Sequence, residues 1–217
     1  MRNYFYWLLG AAVVILVSVV VYQPLPTNSD QSSPASAKKT KSGATVSPAT
    51  AGLGEPVADW RSRITKKPFG IHITPATSPV QPERFSGYHT GADVEYDDVT
   101  ADVPVHAIAD GKIVFVGIIN GYGGVIREEF TWQGATYTAL YGHLRPTSLI
   151  KLGPVKQGEP IGVLGQGYSA ETDGERRHLH LAILKGRSSN VRGYVSSQAA
   201  LSPWVDPIGL YTHLLYN

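Results

Sequence analysis

His178-Leu179-His180-Leu181-Ala182-Ile183-Leu184 is an apolar run that opens on two histidines set two residues apart. Bounded by charged and Gly-containing segments, it reads as a β-strand. Side chains alternate across a strand, so residues two apart point to one face. His178 and His180 therefore share a face, while Leu179 and Leu181 turn toward the core. Two imidazoles on a core strand are costly unless both find partners. A pair of exposed histidines on an edge strand is the bland alternative.

The same texture extends outward over most of the chain. From about Phe69 onward, short apolar runs are separated by Gly, Pro, Asn and Asp. Candidate strands are Phe69–Ile73, Val103–Ala107, Ile113–Val116, Val125–Phe130, Thr136–Tyr141, Ile161–Leu164 and Leu179–Leu184. Turn signals such as Asp110-Gly111 and Asn120-Gly121-Tyr122-Gly123-Gly124 punctuate them. The glycines of 121–124 invite a phosphate-loop reading, but no Lys-Ser/Thr follows them, so the segment reads as a turn. No long stretch carries helical periodicity with caps, and there is no tandem repeat. The expected domain, 53–217, is all-β and mostly antiparallel.

Two further segments carry chemistry. In His89-Thr90-Gly91-Ala92-Asp93 the even spacing puts His89 and Asp93 on a common side if the chain is extended, and Gly87 and Gly91 argue against a helical turn. Tyr141-Gly142-His143-Leu144 adds a third histidine directly after a β-rich run. Each is weak alone. The chain of 217 residues contains no cysteine, so zinc, if bound, must be held by histidine and carboxylate. Two histidines and one carboxylate make the ligand composition of an open catalytic zinc site, with water in the fourth position.

Taken in order, these motifs resemble the lysostaphin/LytM-type zinc metalloendopeptidases, which cut the peptide part of peptidoglycan. The resemblance runs from about Phe69 to His180: a His-x-x-x-Asp element, a Tyr-Gly-His-Leu element, then His-x-His. Val105–Gly111 and Gln157–Gly162 look like the family's strand and turn segments between them. The resemblance implies an antiparallel β-sandwich with an open groove, of the duplicated hybrid motif type. It implies that His89, Asp93 and His180 hold Zn2+ and that His143 and His178 are catalytic without binding metal. The implied partner is the peptide of peptidoglycan. The chain departs from the family at Thr172–Arg177, where a small Ser-Thr-Gly-Pro-like stretch is usual, and at Asp98–Asp102, in place of a short Gly-rich link. A catalytically silent wall-binding or regulatory module of the same fold is the alternative. A histidine phosphocarrier is a further one, opposed by the His/Asp/His set.

The N-terminal part reads differently. Tyr4–Tyr22 is an uncharged apolar run long enough to cross a bilayer, with Tyr4, Tyr6, Trp7 and Tyr22 near its ends. It is longer than a signal-peptide core, and Ala35-Ser36-Ala37 lies far downstream for a cleavage site, so residues 1–22 read as an uncleaved membrane anchor. Residues 23–52, rich in Ser, Thr, Pro, Ala and Lys, read as a disordered tether with a random-coil span of about 30 Å. The resemblance then sets the catalytic domain on the extracytoplasmic side, periplasmic or facing the wall, with single-pass anchoring in the cell membrane. The formal charge is only +2, and Lys38, Lys39 and Lys41 fall in the tether, so no nucleic-acid partner is expected. The sequence specifies no protein activator, though the reading is compatible with one. His72 and His106 read as groove-lining or satisfied structural residues, His213 as a tail residue outside the chemistry, Trp132 and Trp204 as packing residues, Tyr88 and Tyr168 as groove candidates, and Arg176 and Arg177 as a solvated turn.

Overall fold

The structure, a computed structural model, describes residues 52–212. The expected anchor, nearly all of the expected tether, and His213 lie outside the described residues. Twelve strands follow one another: β1 (His72–Ile73), β2 (Gly87–His89), β3 (Ala92–Glu95), β4 (Pro104–His106), β5 (Gly111–Ile119) and β6 (Gly123–Trp132) come first. They are followed by β7 (Ala135–Leu144), β8 (Gly153–Val155), β9 (Pro160–Val163), β10 (His178–Lys185), β11 (Tyr194–Val195) and β12 (Trp204–Val205). A single α-helix, α1 (Pro207–Thr212), ends the described chain, and short 3-10 turns cover Pro146–Ser148, Ala170–Thr172 and Gln198–Leu201. The architecture is nearly all-β with antiparallel pairing throughout, as expected.

A seven-stranded sheet ordered β12-β10-β7-β6-β5-β8, with β3 also paired to β10, forms the centre. Both of its faces are covered. Leu179, Leu181 and Ile183 of β10 bury one face together with Val105 of β4 and Ile161 of β9. Ala182 and Leu184 bury the other face with Leu140, Trp204 and Val195 of β11. Each fully buried aliphatic side chain contributes about 1.5–3 kcal/mol in transfer free energy, so β10 anchors the domain from both sides. The sheet β1-β2-β11 lies over this second face, the one that carries the even-numbered residues of β10.

Two sequence expectations need correction. Phe69–Ile73 is strand only at His72–Ile73. More consequentially, residues 89–93 are not one extended strand. His89 ends β2, in the three-stranded sheet, and Asp93 lies in β3, in the central sheet. The chain changes sheets at Thr90-Gly91, where a Cβ on Gly91 would stand 2.6 Å from the Leu181 carbonyl oxygen. Only a residue without a side chain allows that crossing. Trp132 and Trp204 are buried packing residues, as read from the sequence.

Candidate active site

Strand register brings the predicted residues together. In the β10–β3 ladder His180 stands opposite Asp93 and His178 opposite Glu95. Directly opposed side chains lie within reach of each other, and His180 Nδ1 is 3.0 Å from Asp93 Oδ1. His89 arrives from the covering sheet, its Nε2 at 3.1 Å from His180 Nδ1 and 3.2 Å from Asp93 Oδ1.

The tautomer of His89 follows from its other nitrogen. Nδ1 lies 3.2 Å from the Pro68 carbonyl, which can only accept, so Nδ1 carries the proton and Nε2 presents a lone pair. A lone pair facing a carboxylate oxygen is repulsive unless a proton on His180 Nδ1 or a metal cation is shared between them. Ligand atoms about 2.0–2.1 Å from a tetrahedral metal ion lie about 3.3 Å apart, close to the spacing of this triangle. His89, Asp93 and His180 could therefore hold a metal ion, and their donor atoms all lie within 4.8 Å of one another. Tyr122 Oη stands 3.5 Å from His180 Nε2, on the side of the ring away from the triangle.

His143 reaches the site by a different device. On β7, Gly142 pairs with His180 and Tyr141 with Leu181, so strict alternation would send His143 to the core face. The β6–β7 register shifts here: Gly124 pairs with Leu144 and Ile126 with Tyr141, so Gly142 and His143 together oppose Val125 alone. His143 takes φ 62°, a left-handed conformation unusual for a residue with a side chain. The bulge turns its ring to the histidine face, with its centroid 4.1 Å from that of His178. Backbone strain of this kind concentrates at functional sites. Gly142 leaves the gap that Tyr122 fills, since a Cβ there would meet the Tyr122 ring at 2.5 Å.

Both remaining histidines have fixed tautomers. His178 Nδ1 donates to the Arg176 carbonyl (2.9 Å), and His143 Nδ1 to the Thr172 carbonyl (3.3 Å). Each therefore keeps a bare Nε2, and that of His178 lies 3.4 Å from Asp93 Oδ2. Burial holds all three of His143, His178 and His180 toward the neutral form, His143 down to about 3, against the opposing pull of Asp93. Burial alone would raise the Asp93 carboxyl, but the surrounding imidazoles hold it well below the usual carboxylate range. The result is one carboxylate beside three imidazoles, those of His143, His178 and His180, held toward the neutral form.

The site opens into a cleft of about 300 Å3 lined by Phe85, Ile119, Tyr122, Val191 and Tyr194 beside the triangle and His178. Sequence reasoning missed Tyr122 and Tyr194, which no spacing marks, and it misread Arg176 and Arg177. These arginines are buried rather than solvated. Arg177 donates through Nη2 to the Ala101 carbonyl (2.9 Å) and through Nη1 to Val99, while Arg176 bonds the carboxylates of Asp93 and Glu95. Of the groove candidates, Tyr168 is exposed and Tyr88 packs on His72.

Known proteins resemble the chain over the segment that carries these residues. Residues 87–192, which include every predicted site residue, match the family model described as Peptidase family M23. No curated protein matches the chain significantly. Among solved structures, the chain resembles the catalytic domain of the antimicrobial peptidase lysostaphin from Staphylococcus simulans. The identity is 25%, covering 73% of this chain and 99% of that one, with a TM-score of 0.49. It also resembles Csd3 of Helicobacter pylori (24% identity, 67% of this chain and 35% of that one, TM-score 0.42). A zinc-containing peptidase from Vibrio cholerae is similar at 23% identity, over 62% of this chain and 37% of that one, with a TM-score of 0.40. Residues 87–192 thus match peptidase family M23, which supports the lysostaphin/LytM-type resemblance of the motifs they contain.

Proposed function

We propose that the protein is a zinc-dependent metalloendopeptidase that hydrolyses peptide bonds in peptidoglycan while tethered outside the cytoplasmic membrane by its N-terminal segment. The observation that carries this reading is the donor triangle of His89, Asp93 and His180 beside two histidines whose Nδ1 is spent on a backbone carbonyl, leaving Nε2 as an acceptor. Zinc held in the triangle supplies Lewis-acid polarisation of a carbonyl and a lowered water pKa. The remaining chemistry belongs to the side chains. Neutral His178 can accept the proton of the attacking water at Nε2, and Asp93 Oδ2, 3.4 Å away, stabilises the imidazolium that forms. The same proton then passes to the leaving amine. His143, whose ring lies 4.1 Å from that of His178 between centroids, cannot be charged at the same moment without repulsion. It therefore serves as a neutral partner that orients substrate, its Nε2 accepting a hydrogen bond while Nδ1 stays on the Thr172 carbonyl.

The tether is supported by the uncharged run Tyr4–Tyr22, and by the location of peptidoglycan outside the membrane. Fragments released from isolated peptidoglycan, identified by mass, test the activity. New ends at a peptide bond should appear with zinc, vanish with chelator and return on zinc addition. His178→Ala should keep zinc and lose about 10²–10⁴-fold in rate. A folded, zinc-loaded protein that releases nothing from several wall types would favour the silent-module alternative. Protection of the domain from external protease in cells with permeable walls would refute the tethered topology.

A further inference from the structure

We infer that Arg176 is a positioning residue that holds Asp93 so that only Oδ1 is offered to the metal. The inference rests on the zinc-site reading above. Arg176 is buried, with a side-chain exposure of 1%, and its guanidinium is spent on two carboxylates. Nη2 donates to Asp93 Oδ2 at 2.8 Å and to Glu95 Oε1 at 2.6 Å, and Nε donates to Glu95 Oε2 at 2.8 Å. Asp93 thus has a division of labour between its oxygens: Oδ1 faces the imidazole nitrogens of His89 and His180, and Oδ2 faces a fixed cation. A carboxylate whose second oxygen is held by a charged donor cannot swing to bind a metal through both. Arg176 also fixes His178 through its backbone carbonyl, so one residue aligns a ligand and a neighbouring histidine.

Among the described residues, no lysine and no other arginine pairs with Asp93. Lys66 Nζ is 3.5 Å from Glu95 Oε2 but is bonded to nothing on Asp93. Without Arg176, Asp93 and Glu95 would be two buried carboxylates lacking their common cation. A lysine at 176 carries the charge but not the planar fork that spans Asp93 and both oxygens of Glu95. Arg177 provides the internal control. It is also buried, but it holds the carbonyls of Val99 and Ala101 and touches neither carboxylate.

The test uses the full-length protein, with zinc affinity read by competition against a chromophoric chelator and ligand geometry read from the d–d absorption of the cobalt-loaded form. Arg176→Gln and Arg176→Lys should each weaken zinc by about 10–100-fold, the usual effect of removing a partner of a metal ligand, and should alter the cobalt spectrum. Arg177→Gln should lower thermal stability while leaving affinity and spectrum at wild-type values. If the Arg176 variants do not fold, Glu95→Gln loosens the guanidinium on one side and should give a smaller loss in the same direction. Wild-type protein that binds no zinc, or that keeps it after His180→Ala, overturns the zinc-site reading and this inference with it. Zinc lost on His180→Ala but held unchanged in Arg176→Gln and Glu95→Gln overturns this inference alone.

Discussion

Gly91 sits between the strands that deliver His89 and Asp93, and a side chain there would press on the third member of the triangle. Its Cβ would come to 2.9 Å from His180 Cε1 and Nε2. Gly91→Ala should therefore displace the imidazole, with an overpacking cost of about 1–3 kcal/mol and a loss of zinc affinity measurable by chelator competition. Unchanged affinity would mean that His180 relaxes freely. A second residue-scale effect lies away from the cleft. Glu128 is fully buried, accepting from Tyr141 and from the Ala109 amide (3.2 Å), and burial raises its carboxyl to about 7 despite those bonds. A carboxyl raised in the folded state binds its proton more tightly there than in the unfolded chain. Its contribution to stability is thus full below the unfolded value of about 4.5 and is lost as pH rises through about 7. The difference in unfolding free energy between wild type and Glu128→Gln, from denaturant titrations, should shift by about 3 kcal/mol against wild type between pH 4 and 8. A difference that does not vary with pH refutes the assignment.

At the scale of elements, β10 is the strand on which everything depends. It is paired on one edge to β3 and then β12, and on the other to β7, and its side chains are buried on both faces. Amide hydrogen exchange should be slowest at Leu179–Ile183 and fastest in the two-residue strands β1 and β11. Fast exchange in β10 would contradict its central place. Leu181→Ala, at a side chain with no exposure, should cost about 2–5 kcal/mol. The segment between β9 and β10 is the other decisive element. Its Thr172 and Arg176 carbonyls fix His143 and His178, and Arg84 ties it down through Asp173 (2.8 Å) and Glu175 (2.9 Å). The stretch that departs most from the family pattern is thus the one that orients the bare histidines.

For the whole molecule, a metal held by the triangle would also be a source of stability, because the triangle joins the covering sheet, through His89, to the central sheet, through Asp93 and His180. A ligand that binds only the folded state stabilises it by about 4 kcal/mol at 1,000 times its Kd. For a domain of this size that corresponds to roughly 8–16 °C in Tm. Chelator should lower the melting temperature by that order and zinc should restore it, while His180→Ala should abolish the response. A Tm indifferent to chelator in protein shown to carry zinc would mean that the metal does not join the sheets.

The sequence by itself determined the class of the fold and singled out the histidines and the aspartate that the fold brings together. Period-two alternation around His178 and His180 is a local property of a strand, and the motifs are local too. What it did not determine is how those motifs meet. The change of sheet at Gly91, the bulge that reverses His143 and the burial of Arg176 each depend on pairing partners distant in the chain. An arginine in a polar segment looks solvated until two carboxylates from another strand surround it. Only the tertiary structure decides that, because charge pairing across strands is fixed by register and no spacing within one segment records it.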